Sequence, residues 1–226
     1  MSQVVERPKV IALCLPGEYF HNIWMAHMLT LFHHLTGRFL VQTITGYCSA
    51  VYMTRHDIAQ AVLQGNPPVD YALWIDDDNI LTPEQFDRLY AGLTKSDAQL
   101  IAAWTVIAPD AINASLFVSC GPMKPDGTKD CFGFQDMQGP PREIGWTGFP
   151  AVLMKTEALR MTGKFPFAPM PMETERGASG EDYAFCKRLT TAGGKMLVDP
   201  EVAVPHLKLR NVLPNPGILR AREVSA

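Results

Sequence analysis

The sequence predicts an α/β fold: a mostly parallel central sheet flanked by helices. Two observations predict it. Strand-length apolar runs alternate with helical-period segments through the first hundred residues, the β-α-β-α-β-α-β order of a doubly wound sheet with right-handed crossovers. The third apolar run, Asp70 to Ile75, then stops abruptly at Asp76-Asp77-Asp78-Asn79. Behind it Thr82-Pro83-Glu84-Gln85 opens a helix, with Thr82 as N-cap, Pro83 at the first helical position and Gln85 closing a capping box. Phe86, Leu89, Tyr90 and Leu93 give that helix one buried face. The acidic cluster therefore belongs in a loop at the carboxyl end of a buried strand, where open α/β sheets bind ligands.

In chain order, Val10 to Leu15 is the first strand, ended by Pro16-Gly17. A helix from about His21 to His34 follows, with Ile23, Met25, Ala26, Met28, Leu29 and Phe32 expected mostly buried. Its histidines (His21, His27, His33, His34) read as structural, since a lone helical pair such as His27 and His34 fixes no metal. Gly37 closes the helix, and Phe39 to Thr45 is the second strand. A small-residue loop leads to a second helix holding Ile58, Ala61, Val62 and Leu63. Arg55 stands at its expected start, against the helix dipole, and asks for an anionic partner: a bound anion or a nearby carboxylate such as Asp57. Asn66-Pro67-Pro68 is a sharp connector before the acidic-loop strand. Leu100 to Trp104 is a fourth buried strand.

From Ala108 to Gly145 the chain is rich in proline and glycine, with short strand-like pieces such as Leu116-Phe117-Val118 and a turn signal at Pro125-Asp126-Gly127. It reads as a small irregular antiparallel excursion within one domain. Gly145 and Gly148 allow close backbone approach to a ligand that Trp146 could line. Ala151 to Met154 is another strand. The stretch from Lys164 to Gly180 lacks a hydrophobic period and suggests a mobile lid. A helix opens at Glu181-Asp182 and ends at Gly193-Gly194. Ser179 with Asp182 also fits a capping box. Strands at Lys195 to Val198 and Val202 to His206 complete the domain, and a tail with Lys208, Arg210, Arg220 and Arg222 follows.

Composition narrows the classes. The chain has 226 residues, 47% hydrophobic and 19% charged, with a formal net charge of -3. That suits one domain with an ample core and announces no general affinity for nucleic acid or membranes. No apolar run reaches the roughly 18 residues needed to span a bilayer, and no signal region precedes the first strand. A cytoplasmic protein is expected. Five scattered cysteines show neither zinc nor disulfide spacing and read as reduced thiols.

Adjacent like charges are tolerated when a cation or strong donors neutralise them, so the acidic loop reads as a divalent-metal and nucleotide-phosphate site. Taken with the Glu181-Asp182 pair and His206, the ordered set resembles the GT-A glycosyltransferases, in particular the family-2-like inverting enzymes. The matching stretches are Trp74-Ile75-Asp76-Asp77-Asp78, Gly145-Trp146-Thr147-Gly148-Phe149, Gly180-Glu181-Asp182-Tyr183-Ala184-Phe185 and Val204-Pro205-His206, with Cys48 to Arg55 similar to the loop after the second strand. The resemblance runs from about residue 9 to 206. It implies a nucleotide-binding half at about 9–105, an acceptor and catalytic half at about 106–206, and a tail from 207 to 226.

By the same resemblance, Asp78 and His206, with Asp76, would hold manganese or magnesium. Pro16, Tyr19, Arg55, Asp76 and Asp77 would hold the nucleotide of a sugar donor, expected to be UDP-linked. Asp182 would be the general base and Glu181 its neighbour placing hydroxyls. Trp104, Trp146 and Gly148 would line the acceptor or sugar pocket. The acceptor is expected to be a glycan, or a modified DNA base as in bacteriophage enzymes of this kind, with the basic tail touching phosphates. No membrane insertion is expected, and the sequence leaves oligomeric state open. Three other readings compete. A haloacid-dehalogenase phosphatase wants a threonine or valine in a frame where Ile80 stands. A sugar-phosphate nucleotidylyltransferase wants a basic glycine-rich loop where Pro16-Gly17-Glu18 stands. A non-catalytic nucleotide-sugar-binding module would keep Asp78 without needing Asp182.

Overall fold

The computed structural model describes residues 7–18, 20–107, 117–124, 128–171 and 178–207. In chain order the elements are β1 (Val10–Pro16), α1 (Asn22–Thr36), β2 (Leu40–Gly46), α2 (Val51–Leu63), β3 (Tyr71–Ile75), α3 (Pro83–Thr94), β4 (Leu100–Trp104), β5 (Val106–Ile107), β6 (Phe117–Val118) and β7 (Cys120–Gly121). A short 3-10 turn at Phe134–Asp136, β8 (Arg142–Ile144), β9 (Trp146–Thr147), β10 (Ala151–Lys155), α4 (Thr156–Met161), α5 (Glu181–Thr191) and β11 (Met196–Ala203) complete it.

Seven strands form one sheet in the order β2-β1-β3-β10-β4-β11-β8. Strands β2, β1 and β3 pair in parallel, as do β4 and β11. The uninterrupted parallel order expected through the fourth strand needs correction. Strand β10 inserts antiparallel between β3 and β4, matching Val152 to Trp74 on one side and to Ala102 on the other. Period-2 alternation assigns side chains to faces but names no neighbour, so an apolar strand from well downstream of both can take the central slot. The expected excursion is present as two small antiparallel pairs, β5 with β6 and β7 with β9. Its Pro125-Asp126-Gly127 turn lies outside the described residues.

Both faces of the sheet are covered. Ile11, Leu13 and Leu15 of β1 point into a core shared with α1 and α3, while Val10, Ala12 and Cys14 point into a core shared with α2, α4 and α5. The buried face of α1 differs from the one expected. Trp24, Met28, Leu31 and Leu35 are buried, while Ile23, Met25, Leu29 and Phe32 are exposed. Residues 24-28-31-35 and 25-29-32 both satisfy helical spacing, and the bulk of Trp24 goes inside.

Three other expectations change. Helix α2 begins at Val51, so Arg55 lies inside its first turns rather than at its start. The two late strand pieces are one strand, β11, with a register irregularity between Val198 and Ala203. Arg88 grips Asp199 in that irregular stretch through Nε (3.2 Å) and Nη2 (3.1 Å), and Trp104 Nε1 donates to Pro200 O at 2.8 Å. The stretch read as a lid is anchored on both sides of the undescribed residues 172–177. Phe167 is fully buried against Phe185, Arg188 donates to Pro166 O, and Met170 N–H donates to Ser179 Oγ at 3.0 Å.

The capping box ahead of α3 forms as the sequence predicts: Gln85 N–H donates to Thr82 Oγ1 (3.3 Å) and Thr82 N–H to Gln85 Oε1 (3.0 Å). Helix α3 carries the chain away from the acidic loop, so this cap anchors the loop's far end. Thr82→Ala is expected to lower unfolding free energy by about 1 kcal/mol, and Thr82→Ser to stay near wild type, in urea titrations followed by far-ultraviolet circular dichroism.

Candidate functional site

Parallel strands β1 and β3 end side by side, and the loops after them border a cleft of about 510 Å³. Its walls include Pro16 at the end of β1 with Gly17 and Glu18 after it, Thr54 and Arg55 of α2, the three aspartates after β3, Gly148, and Glu181 at the start of α5. The backbone of the acidic loop is pinned from the α1 side by Trp24 Nε1, which donates to Asp76 O at 3.1 Å.

The three carboxylates take three different partners. Asp76 receives Arg55 Nη2 on both oxygens, at 2.8 and 3.1 Å. Burial pushes its carboxyl up to about 7; Arg55 pulls it down, and Asp78 and Asp77 push it further up. Asp77 leans on the loop after β1, where the Glu18 N–H aims at its carboxylate. A Cβ on Gly17 would stand 2.5 Å from Asp77 Oδ2, so this approach requires glycine. Burial raises the Asp77 carboxyl, as does Asp78, against the Glu18 hydrogen bond. Asp78 meets His206 Nε2 at 2.6 Å through Oδ2, and its Oδ1 receives Asn79 Nδ2 at 2.7 Å. The chain after β11 zips onto the acidic loop: Leu207 N–H donates to Asp78 O (2.6 Å) and Ile80 N–H to Pro205 O (3.4 Å).

Arg55 is the centre of the cleft floor. Its side chain is only 3% exposed, with the guanidinium 5.1 Å from the Phe149 ring and 6.0 Å from the Phe167 ring. Its Nε lies 3.4 Å from Glu181 Oε1, so one cation bridges the acidic loop and the start of α5. The Asp57 partner considered for it does not appear among its ion pairs. Arg55 Nη1 and Nε and Thr54 Oγ1 are buried without a hydrogen-bond partner among the described residues. Phe149 has φ 59°, the left-handed region, unusual for so bulky a residue. That backbone carries its ring onto Arg55, Trp74, Phe167 and Phe185.

Asp182 lies beside this cleft. Its Oδ1 accepts the Tyr183 N–H at 2.6 Å, and its Oδ2 stands 3.7 Å from where a Cβ on Gly148 would be. Gly148 N–H donates to Ser119 O at 2.7 Å. The capping box between Ser179 and Asp182 does not form. Gly180 is the N-cap, Ser179 Oγ serves the Met170 N–H, and Asp182 takes a first-turn amide of α5 on Oδ1 alone. The positive end of α5 favours negative charge on Glu181 and Asp182.

The two tryptophans expected in an acceptor pocket are core residues outside the cleft lining. Trp104 bonds Pro200 O, and Trp146 bonds Asp130 O, with Lys129 Nζ 4.6 Å above its ring. Gly148 does line the cleft. Tyr19, the lid residues 172–177 and Lys208, Arg210, Arg220 and Arg222 lie outside the described residues. Thr54, Phe149 and Phe167 belong to the site or its support, and sequence reading missed their roles. A threonine or phenylalanine in an apolar context carries no local mark of function. Burial raises the Cys14 thiol and pushes Cys120 and Cys186 up to about 12, away from thiolate chemistry.

Donor chemistry decides what the site can hold. Asp78 and His206 bring one carboxylate and one imidazole nitrogen together, a set that suits manganese or magnesium completed by phosphate oxygens and water. Asp76, expected as a further ligand, has both oxygens on Arg55, and among the described residues no three His, Cys, Asp or Glu side chains form a metal cluster.

An α/β sheet of this order, with an acidic loop at the ends of its parallel strands and a small antiparallel excursion, is a GT-A-like fold. No family model matches the sequence, and no curated protein matches it. Among solved structures, GalNAc-T7 with UDP, GalNAc and Mn2+ matches at 11% identity and TM-score 0.52, over 92% of this chain and 45% of that one. The chain thus spans less than half of the GalNAc-T7 chain. The A197 protein from STIV matches at 11% identity and TM-score 0.49, over 91% and 97% of the two chains. The catalytic domain of Drosophila beta1,4galactosyltransferase 7 in complex with xylobiose matches at 12% identity and TM-score 0.49, over 92% and 74%. At such identities the likeness is one of fold.

Removing the Arg55 cation leaves Asp76 and Glu181 facing each other. Arg55→Met is expected to cost about 3 kcal/mol in urea unfolding, the low end for a broken buried pair because both carboxylates keep some exposure. Arg55→Lys is expected to recover less than half, since one ammonium does not serve both Asp76 oxygens and also reach Glu181.

Proposed function

We propose that this chain is a metal-dependent glycosyltransferase that moves a sugar from a nucleotide diphosphate donor to an acceptor hydroxyl, with inversion at the anomeric carbon. The observation that carries the proposal is the 2.6 Å contact between Asp78 and His206, 128 residues apart, at the mouth of a cleft with an arginine floor. A UDP-linked sugar is the first donor to test, because GalNAc-T7, of like fold, was solved with UDP, GalNAc and Mn2+.

On this reading Asp78 and His206 hold a divalent cation. When bound, it supplies positive charge to the leaving diphosphate. The backbone at Pro16 to Glu18 and the walls near Thr54 face the nucleoside. Arg55, held by Asp76 and Glu181, keeps a positive charge beneath the donor's phosphates on the cleft floor. Asp182 takes the proton of the acceptor hydroxyl as that oxygen bonds to the anomeric carbon. The bond from that carbon to the diphosphate breaks, and the electron pair leaves with the diphosphate. Glu181, restrained by Arg55, orients hydroxyls of sugar or acceptor. The acceptor itself, glycan or modified DNA base, is left to assay.

Isothermal titration with UDP, with manganese or with a chelator, tests the first half. Asp78→Asn is expected to weaken manganese-dependent UDP binding at least about tenfold, and equal binding in chelator would overturn the metal assignment. Donor hydrolysis and transfer assays test the second. Asp182→Asn is expected to keep UDP affinity and to lose turnover by a factor of about 100 to 10,000. Turnover at the wild-type rate would remove Asp182 as base. UDP binding without turnover for any donor or acceptor would instead indicate a binding module.

A further inference from the structure

Strand β2 is one edge of the sheet, and nothing among the described residues protects that edge. It pairs with β1 at all seven positions from Leu40 to Gly46, in regular register. Its sequence, Leu-Val-Gln-Thr-Ile-Thr-Gly, has no charge, proline or bulge to blunt the open side. The opposite edge, β8, has only three residues, two of them Arg142 and Glu143, and follows Pro140-Pro141. The contrast matters because an open, uncharged, β-branched strand is a template for pairing.

Above the same edge lies an apolar stripe. Met25, Leu29 and Phe32 stand at i, i+4 and i+7 on α1, with Leu29 63% exposed. Helix α1 meets α3 through His34, whose Nε2 lies 3.0 Å from Asp87. At 3.6 residues per turn the stripe sits roughly opposite His34, on the flank over β2. Thr43 and Thr45, exposed beneath it, register with Leu13 and Leu15, which face the α1 core. Leu40 is exposed at the start of the strand.

We infer that the chain forms a symmetric dimer in which β2 pairs antiparallel with β2 of a second copy and the two α1 stripes pack together. A two-fold axis normal to the sheet does both at once. It extends the sheet through its open edges and keeps both α1 helices on one face, stripe against stripe. Self-pairing brings no like charges together, since neither stripe nor strand carries any. The patch is about 23 Å long and spans sheet and helix layers, on the order of 600 Å² per subunit, inside the range of stable interfaces. A lone strand from another protein would fill the edge but leave the α1 stripe in water. The two clefts open at opposite ends of the joined sheet and share no residue.

Sedimentation velocity of the full chain across the micromolar range is expected to give twice the 25.0 kDa monomer mass. The double variant Leu29→Glu, Phe32→Glu alters only exposed side chains. It is expected to sediment as monomer with an unchanged circular dichroism spectrum, and the outward-facing amides of β2 are expected to exchange about tenfold faster than in wild type. A wild-type monomer at every concentration overturns the inference, whether its β2 amides are open or covered by its own chain. A double variant that stays dimeric also overturns it.

Discussion

Three adjacent carboxylates cannot share one neutralising partner, and this constraint organises the end of the sheet. The molecule meets it by division. Asp76 goes to a buried guanidinium, Asp77 to the backbone after β1, and Asp78 to His206 and Asn79. Apart from Asn79, each partner comes from a different part of the chain. Neutralising the loop therefore ties α2, the first strand and the last strand to the end of β3. Repulsion between side chains of consecutive residues becomes a device for assembling a site from distant ones.

Arg55 is where this device meets the core. A guanidinium tolerates burial when its charge is paired and its faces lie on aromatic rings. Phe149 and Phe167 supply the rings, and Phe149 does so from a left-handed backbone. The rings also pack with Phe185 of α5, so the helix that presents Glu181 and Asp182 rests on the same aromatic layer that holds the arginine. On the proposed function, donor side and acceptor side are joined through this one cation. The strained residue belongs to that joint and follows Gly148, which lines the cleft beside Asp182.

Local physics made much of this legible beforehand. The strands β1 to β4, the capped start of α3, the helix after Gly180 and the location of the acidic loop all follow from short-range period and capping, which involve neighbours in sequence. The neighbours of β3 were not legible, because β10 is an apolar strand like any other and only packing assigns it the central slot. The buried face of α1 was misread because two apolar stripes share one helix. Trp104 and Trp146 looked like ligand-binding surfaces, yet their indole N–H groups are spent on Pro200 and Asp130 carbonyls within the core. Tryptophan fits both roles, and its burial separates them.

What the sequence determined by itself is the chemistry on hand: three aspartates at a strand end, an acidic pair opening a helix, a late histidine, and the alternation that makes an α/β sheet. Those are local facts, carried by residue type and spacing. Only the tertiary structure decided how the charges are matched: Arg55 to Asp76 and Glu181, Gly17 open to Asp77, and His206 to Asp78 across 128 residues. It likewise decided which stripe of α1 faces water. Pairings of this kind depend on which backbone segments the sheet brings together, and long-range closure of a chain leaves no periodic trace in its sequence.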